Sequence, residues 1–498
     1  MALPYFITSL KPKRQYREGR SQWECLRELT WVQWAQFFSG WLAWNCDAID
    51  FFSVSLSVTN LEAQFHKSAH ELTTSITLTL LFRSVGAIIF GIISDRFGRK
   101  WPLVWNLALC SILQLGSGFV QTFPQFLGVR SLFGIAMGGI WGLATSMALE
   151  NLPAELRGLG SGILQQGYAV GYLIAAVINL TLVPETSSGW RSLFWCGSGI
   201  SMFAAFIQMF VPESALFLRA KEIERARGTT TAHKTRIFMQ EIRTMLRRHW
   251  LLCIYAILLM TGFNFLAHGS QDLYPTYLQA SKNISAHDST VATIIGNCGA
   301  VAGGAVAGLI SQFIGRRLTI IIFVCVIGVF IPLWILPSTF GALSAGAFCI
   351  QFGVQGAWGV VPIQLSEISP PAFRATFPGV AYQVGNMVSS ASAQIETTGG
   401  DNLKTFINEN GKQVQVPDYA TVQGILIGVV SAFVIFITII GPENHSAHFE
   451  KAKAAFEEGA GKDELIDDES SVTKEKGSHD GLSSVLDEKR NAENSHGV

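Results

Sequence analysis

About twelve apolar stretches, each long enough to cross a lipid bilayer, occupy most of the 498 residues. A spanning helix needs about 17–25 mostly apolar residues, because the hydrocarbon is about 30 Å thick and each residue rises about 1.5 Å. The stretches lie near 31–56, 73–94, 102–120, 126–149, 159–182, 190–211, 250–276, 289–313, 318–336, 342–366, 375–395 and 421–441. Backbone polar groups in hydrocarbon must be satisfied inside the segment, so an all-α polytopic membrane protein follows. The charge content agrees: only 14% of residues are charged, against about 25% in soluble domains.

Several function classes drop out at this point. The 36 Lys+Arg balance 36 Asp+Glu, so no net field marks a nucleic-acid binder. The eight cysteines are scattered, with no C-x-x-C pair or metal-ligand spacing. No nucleophile–base pair or phosphate loop is present, so neither an enzyme, a resident metal nor a cofactor is expected. Residues 1–30 are polar and basic and lack the apolar core of a secretory signal.

Lys and Arg distribute unevenly about the spans. The N-terminal segment and even-numbered loops hold 22, whereas the opposite loops hold four (Lys67, Lys282, Lys404, Lys412), or five with Arg191. Basic loops stay cytoplasmic, which places both termini there. The expected organisation is a cytoplasmic segment 1–30, a six-helix half 31–211, a cytoplasmic middle loop 212–249, a second six-helix half 250–441 and a tail 442–498. The middle loop carries nine basic residues and reads as a linker helix at the lipid headgroups. The tail, 14 acidic against 7 basic residues, is too polar to bury a core and is expected to be disordered. Its lysines and serines are candidate ubiquitination and phosphorylation sites, so ubiquitin-ligase machinery is a candidate partner.

The two halves are copies. GIISDRFGRK at 91–100 returns as GLISQFIGRR at 308–317, an offset of 217. At the same offset Glu150, Pro153 and Arg157 match Glu367, Pro370 and Arg374, Trp141-Gly142 matches Trp358-Gly359, and Gln166 matches Gln383. Two parallel six-span repeats joined by a charged loop resemble the major facilitator transporters, whose substrate site lies between the halves near the midplane. The loop after span 2 closely resembles that superfamily's signature. The resemblance implies a cytoplasmic conformational latch made of Gly91, Asp95, Arg96, Gly98, Arg99, Glu150 and Arg157, repeated in Gly315, Arg316, Glu367 and Arg374. Arg130, with Gly134, Gly138 and Gly139 on span 4, is assigned to the same latch, its small residues suiting close helix packing.

Ionisable residues inside the membrane are functional candidates by default, since a mid-bilayer charge costs about 2.5–3.5 kcal/mol even on insertion scales. Arg83 lies about ten residues into span 2, or about 15 Å from either surface. Its repeat equivalent is Ala300, so the charge is no part of the duplicated scaffold. Two readings stand: an anchor whose planar fork matches a carboxylate, or an ion pair with an acid of span 1. On span 7, Asn264, His268, Gln271 and Asp272 fall at i, i+4, i+7 and i+8, one polar stripe expected to face the cavity. Pro275 then weakens the helix and could let its outer end bend.

The span 7 run resembles the signature N-x-x-[ST]-H-x-[ST]-Q-D-x-x-x-T of fungal lactate permeases, in the sialate:proton symporter branch of the superfamily. Asn264, His268, Ser270, Gln271, Asp272 and Thr276 match it, while Ala267 replaces a hydroxyl residue. The resemblance covers about 30–441 and includes Asp47-x-x-Asp50 of span 1. It implies a plasma-membrane symporter, taken as a monomer, that imports lactate, pyruvate and related short carboxylates with a proton. Arg83, Asn264, His268, Gln271, Gln383 and Asn386 would bind substrate, and Asp272, His268, Asp47 or Asp50 would carry the proton. Gln165 and Gln166 resemble a substrate-lining pair, or else hydrogen-bond between helices. Gln351, Gln355 and Trp358 on span 10 suggest another cavity face, with packing as the alternative. A dicarboxylate or sialate transporter, a metabolite exporter and a nutrient sensor remain alternatives. A sugar porter is weakened by VPESALFLRAK at 211–221, where Ala215 and Leu216 replace that family's Pro and Arg.

Overall fold

The computed structural model describes residues 21–214, 217–218, 221–222, 231–409, 412–445, 455 and 459–463. The tail's serine pairs at 470–471 and 483–484, together with Ala215 and Leu216, lie outside the described residues.

Every expected span is helical. Spans 1 to 6 are Trp31–Phe65, Ala69–Phe97, Lys100–Ser117, Phe123–Met137 continued by Ile140–Leu149, Arg157–Glu185 and Arg191–Gln208. Spans 7 to 12 are Trp250–Gln271 continued by Tyr274–Lys282, Ala286–Ile314, Arg316–Ile335, Phe340–Ile368, Thr376–Ser389 continued by Ser392–Asn402, and Tyr419–Ile440. Eight of the described helices are long and apolar enough to cross a membrane by themselves. Span 1 is diluted by Asn45, Asp47 and Asp50, and span 11 is divided at Ser390.

Local chemistry sets the ends. Thr30, Ser68 and Thr122 form capping boxes with Gln33, Glu71 and Gln125, satisfying the first free amides of spans 1, 2 and 4. Ser285 caps span 8 through the Asp288 amide at 3.0 Å. The break in span 7 falls at Asp272 and Leu273, with Pro275 in the first turn of the following helix, where its missing N–H costs nothing. Large apolar side chains such as Phe203, Phe210, Leu251 and Val329 point outward, as expected where lipid is the solvent.

Between spans 11 and 12 an antiparallel hairpin pairs Lys404–Glu409 with Lys412–Pro417. The middle loop contains the helix Thr231–Arg248. The tail, expected to be disordered throughout, has one ordered turn: Glu241 of that helix accepts from the Gly459 and Gly461 amides, and His249 Nε2 lies 2.9 Å from Asp463.

The halves meet where glycines let backbones touch. A Cβ on Gly162 of span 5 would lie 2.3 Å from the Gly304 carbonyl oxygen of span 8. One on Gly142 would lie 2.9 Å from the Ala375 carbonyl oxygen, and one on Gly359 would lie 3.4 Å from the Gly162 Cα. The repeated Trp-Gly pair therefore places a glycine in the seam twice, once from each half.

Candidate functional site

Asp47 of span 1 and Arg83 of span 2 form an ion pair at 2.9 Å with both side chains fully buried. This is the pairing expected under the ion-pair alternative. It uses only Nη2 of the guanidinium. Nε and Nη1 of Arg83 and Oδ1 of Asp47 are buried without a hydrogen-bond partner. Buried donors left unmade are costly, so this arginine has unused capacity in the centre of the molecule. Its Cζ lies 5.7 Å from the centroid of the Tyr382 ring, which belongs to the other half.

Asp50 faces elsewhere. Its Oδ2 accepts from Ser201 of span 6 at 2.8 Å, and its carbonyl accepts from Gln114 of span 3 at 3.3 Å. Arg130 donates to Gln114 at 2.9 Å. The structure thus groups Arg130 with this buried network of spans 1, 3, 4 and 6, away from the latch to which the sequence pattern assigned it.

The span 7 stripe faces spans 10 and 11. Asn264 donates to the Tyr382 carbonyl at 3.1 Å, and Gln271 donates to Gln351 at 2.7 Å. His268 is held from both sides: Nδ1 meets the Asp272 carboxylate at 3.0 Å, and Nε2 meets Asn386 Oδ1 at 2.9 Å. Asn386 in turn donates to Gln383 at 2.7 Å, and Gln383 Nε2 ends the chain without a partner. Each ring nitrogen thus faces an oxygen atom, so the His268 imidazole bridges Asp272 of its own span and Asn386 of span 11. Asn264, His268, Asp272, Gln383 and Asn386 are all buried, so the centre is closed to solvent.

Aromatic rings wall this centre. Tyr382 lies 4.6 Å from Trp141 and 5.7 Å from Trp358, the two repeat-related tryptophans, and 6.0 Å from Trp44. Phe52 stacks on Tyr172 at 3.7 Å, and Phe51 meets His268 at 5.7 Å. Tyr382, unmarked in the sequence reading although it adjoins Gln383, holds its ring 5.7 Å from the Arg83 guanidinium while its carbonyl accepts from Asn264, and so links the Asp47–Arg83 pair to the span 7 stripe.

The remaining polar candidates divide. Gln165 accepts from Trp141 Nε1 at 3.5 Å, whereas Gln166 donates to the Val301 carbonyl of span 8 at 2.7 Å, a helix-to-helix bond. Gln355 is buried with both amide atoms unpartnered, and Trp358 donates to the Phe263 carbonyl at 3.2 Å. Beside Gln271 lies a small cavity lined by residues including Tyr172, Tyr274, Asn297, Trp334 and Gln351.

On the face with the basic loops, the two copies of the repeated motif are built alike. Arg99 reaches Asp95 at 3.4 Å and Glu150 at 3.1 Å. Arg316 grips Glu367 bidentately, both contacts at 3.0 Å. Each motif turns on a glycine at positive φ, Gly98 at 104° and Gly315 at 98°. Arg96 stacks over Phe97 at 5.0 Å, while Arg157 donates to the Leu152 carbonyl at 3.0 Å, and Arg374 is buried. Gly91 packs on Thr376, where a Cβ would lie 3.3 Å from its Cα.

Three residues of this assembly, Gln312, Glu213 and Glu443, were not singled out by the sequence reading. Asp95, which was, and its repeat partner Gln312 are the crossing residues: Asp95 accepts from the Thr376 amide at 3.1 Å and from its hydroxyl, and Gln312 accepts from the Gly158 amide and donates to the Ala154 carbonyl, both at 3.2 Å. Glu213 accepts from the Arg99 and Lys100 amides at 3.1 Å, and Glu443 accepts from the Arg316 amide at 2.7 Å. The signal was present: Pro212-Glu213 returns as Pro442-Glu443 at an offset of 230, where the 13 residues beyond 217 fall in the stretch that holds the extra hairpin. Burial pushes the Glu443 carboxyl up from its ordinary range, and burial together with the Arg316 charge pushes the His445 imidazole down.

Comparison with known proteins agrees with this architecture. The chain is 36% identical to a carboxylic acid transporter protein homolog of Saccharomyces cerevisiae over 84% of its own length and 69% of that protein's. It is 28% identical to a cis,cis-muconate transport protein of Acinetobacter baylyi (70% of this chain, 84% of that one) and 25% identical to the sialic acid transporter NanX of Escherichia coli (72% and 85%). The structure superposes on the xylose transporter XylE from E. coli in a partially occluded inward-open conformation, with TM-score 0.61, 18% identity, and coverage of 83% of this chain and 99% of that one. In a second structure of XylE, a proton:xylose symporter of the major facilitator superfamily bound to a glucose derivative, the TM-score is 0.65. The family model for sugar (and other) transporters matches residues 24–456, and the chain, a multi-pass membrane protein with the major facilitator fold, belongs to that family.

Proposed function

We propose that this protein is a proton-coupled symporter that imports short monocarboxylates, lactate and pyruvate among them, across the plasma membrane. The observation that carries the reading is the half-used guanidinium of Arg83, which keeps Nε and Nη1 free in a closed centre while Asp47 occupies Nη2. A carboxylate docking on those two donors would compete with Asp47, and a proton carried on His268–Asp272 or on Asp47 would offset the surplus negative charge. Gln383 Nε2, also free, is available as a further donor to the substrate. One proton moving with one monoanion is electroneutral, so an inward pH gradient alone can drive accumulation.

Uptake of labelled lactate into cells lacking their own carboxylate permeases tests this. Acid-favoured accumulation that an uncoupler abolishes is expected. No uptake despite surface expression would overturn lactate as the substrate.

A second reading is favoured by the wall of Trp44, Trp141, Trp358 and Tyr382 around the anchor. Flat aromatic faces suit planar, unsaturated carboxylates, and a relative named as a muconate transport protein is consistent with such a cargo. Stronger inhibition of uptake by cis,cis-muconate than by unlabelled lactate would favour it.

A further inference from the structure

Glu396 of span 11 is a fully buried carboxylate that the proposed cycle does not use. Its oxygens meet two neutral groups: Ser392 Oγ lies 3.2 Å from Oε1, and Gln423 Nε2 donates to Oε2 at 2.8 Å. Among the described residues no Lys or Arg pairs with it. The titratable groups facing it are Asp272 from span 7 and Tyr419 from span 12, and His70 of span 2 reaches the adjacent Thr397 at 3.1 Å. A carboxylate buried without a cation is tolerated as the neutral acid, so this setting suits a held proton.

The network also says where that proton sits. Trp334 Nε1, which can only donate, bonds Gln423 Oε1 at 3.2 Å. This turns the Gln423 amide so that its NH2 group faces Glu396 Oε2. The acid proton is thereby excluded from Oε2 and belongs on Oε1, against the Ser392 hydroxyl, which can both accept and donate. Ser392 lies against span 7 at Gly269, the residue after His268, where a Cβ would stand 3.5 Å from its Oγ. Along span 11 Glu396 is ten residues beyond Asn386, the partner of His268, on the side leading to the Lys404–Pro417 hairpin and away from the basic loops.

We propose that Glu396 is a proton-holding station on the extracellular side of the His268–Asp272 pair, delivering the co-transported proton to it through Ser392. The proton that leaves Glu396 Oε1 is accepted by Ser392, whose own hydroxyl proton passes to Asp272, three residues beyond Gly269 on span 7, through water admitted when the outer ends of the two spans part. Glu396 is reloaded from extracellular water when the outer ends of spans 7 and 11 part. This rests on the proton-symport reading above.

The full-length chain reconstituted in vesicles tests it in two arms. In infrared titration, the wild-type chain is expected to show a protonated-carboxyl stretch that E396Q lacks. In transport, E396Q keeps lactate exchange between the two sides but loses acid-driven accumulation, its inside-to-outside ratio falling to parity. Ser392→Ala, which leaves the carboxyl in place, slows net uptake more than exchange. Identical infrared spectra for wild type and E396Q overturn the proposal, as does wild-type accumulation by E396Q or an unslowed Ser392→Ala. If the wild-type chain moves no lactate, the substrate reading fails and the infrared arm still decides Glu396.

Discussion

Arg83 and Asp47 touch through a single nitrogen at 2.9 Å, which leaves Nε and Nη1 of the buried guanidinium without a partner. A bidentate pair would saturate the guanidinium and leave little for a substrate. Lysine keeps the charge but not the fork. Arg83→Lys is therefore expected to reduce carboxylate uptake about 10–100-fold, the loss of one charge-assisted hydrogen bond of about 1.5–3 kcal/mol, with surface protein unchanged. Uptake rates normalised to surface labelling check this; an unimpaired variant would remove Arg83 from substrate binding.

The His268–Asp272 contact predicts a separation of exchange from accumulation. Asp272→Asn preserves a polar partner for His268 Nδ1 but cannot give up a carboxyl proton. Exchange of lactate across the membrane should persist while uncoupler-sensitive accumulation is lost. Accumulation at the wild-type level would move the proton to another group.

The glycine seam predicts a conformational bias. A methyl group at Gly162 would drive into the Gly304 carbonyl at 2.3 Å, and nothing there is a flexible side-chain end. Overpacking of this kind costs about 1–3 kcal/mol. Gly162→Ala should fold yet favour states in which spans 5 and 8 separate, seen as faster labelling of a cysteine introduced at Gln166. Unchanged labelling would show that the seam can relax without opening.

Glu213 and Glu443 anchor the two copies of the basic-face motif by accepting from backbone amides at helix starts. Replacing either by Gln keeps the shape and removes the charge at that helix N-terminus. A stability loss of about 1 kcal/mol each is expected, read as a lowered melting temperature of the purified protein, with additive effects in the double variant. A combined loss far above the sum would mean that the two halves of the latch act as one unit.

Much of the architecture is local and was therefore legible. Hydropathy marked each span, and the 217-residue offset linked Asp95 to Gln312 and Arg99 to Arg316 before any contact was known. The stripe of Asn264, His268, Gln271 and Asp272 followed from helical periodicity alone, and all four lie buried at the centre. Partner choice was not legible, because it depends on each helix's rotation and depth against its neighbours. Asp47 and Asp50 are three residues apart in sequence, yet one meets Arg83 and the other Ser201 of span 6. Arg130 carries no mark separating it from the latch arginines, and only the packing of span 4 on span 3 brings it to Gln114.

The amino-acid order by itself determined that this chain crosses a membrane many times, in two copied halves, with a polar stripe on span 7. These depend on transfer energies and periodicities within single helices. Tertiary structure alone decided that Tyr382 meets both Arg83 and Asn264, that Gln166 bonds to span 8, and that Glu396 faces Ser392 and Gln423 with no Lys or Arg paired to it among the described residues. Such relations depend on side chains far apart in sequence arriving at one depth and one azimuth, which no window along the chain encodes.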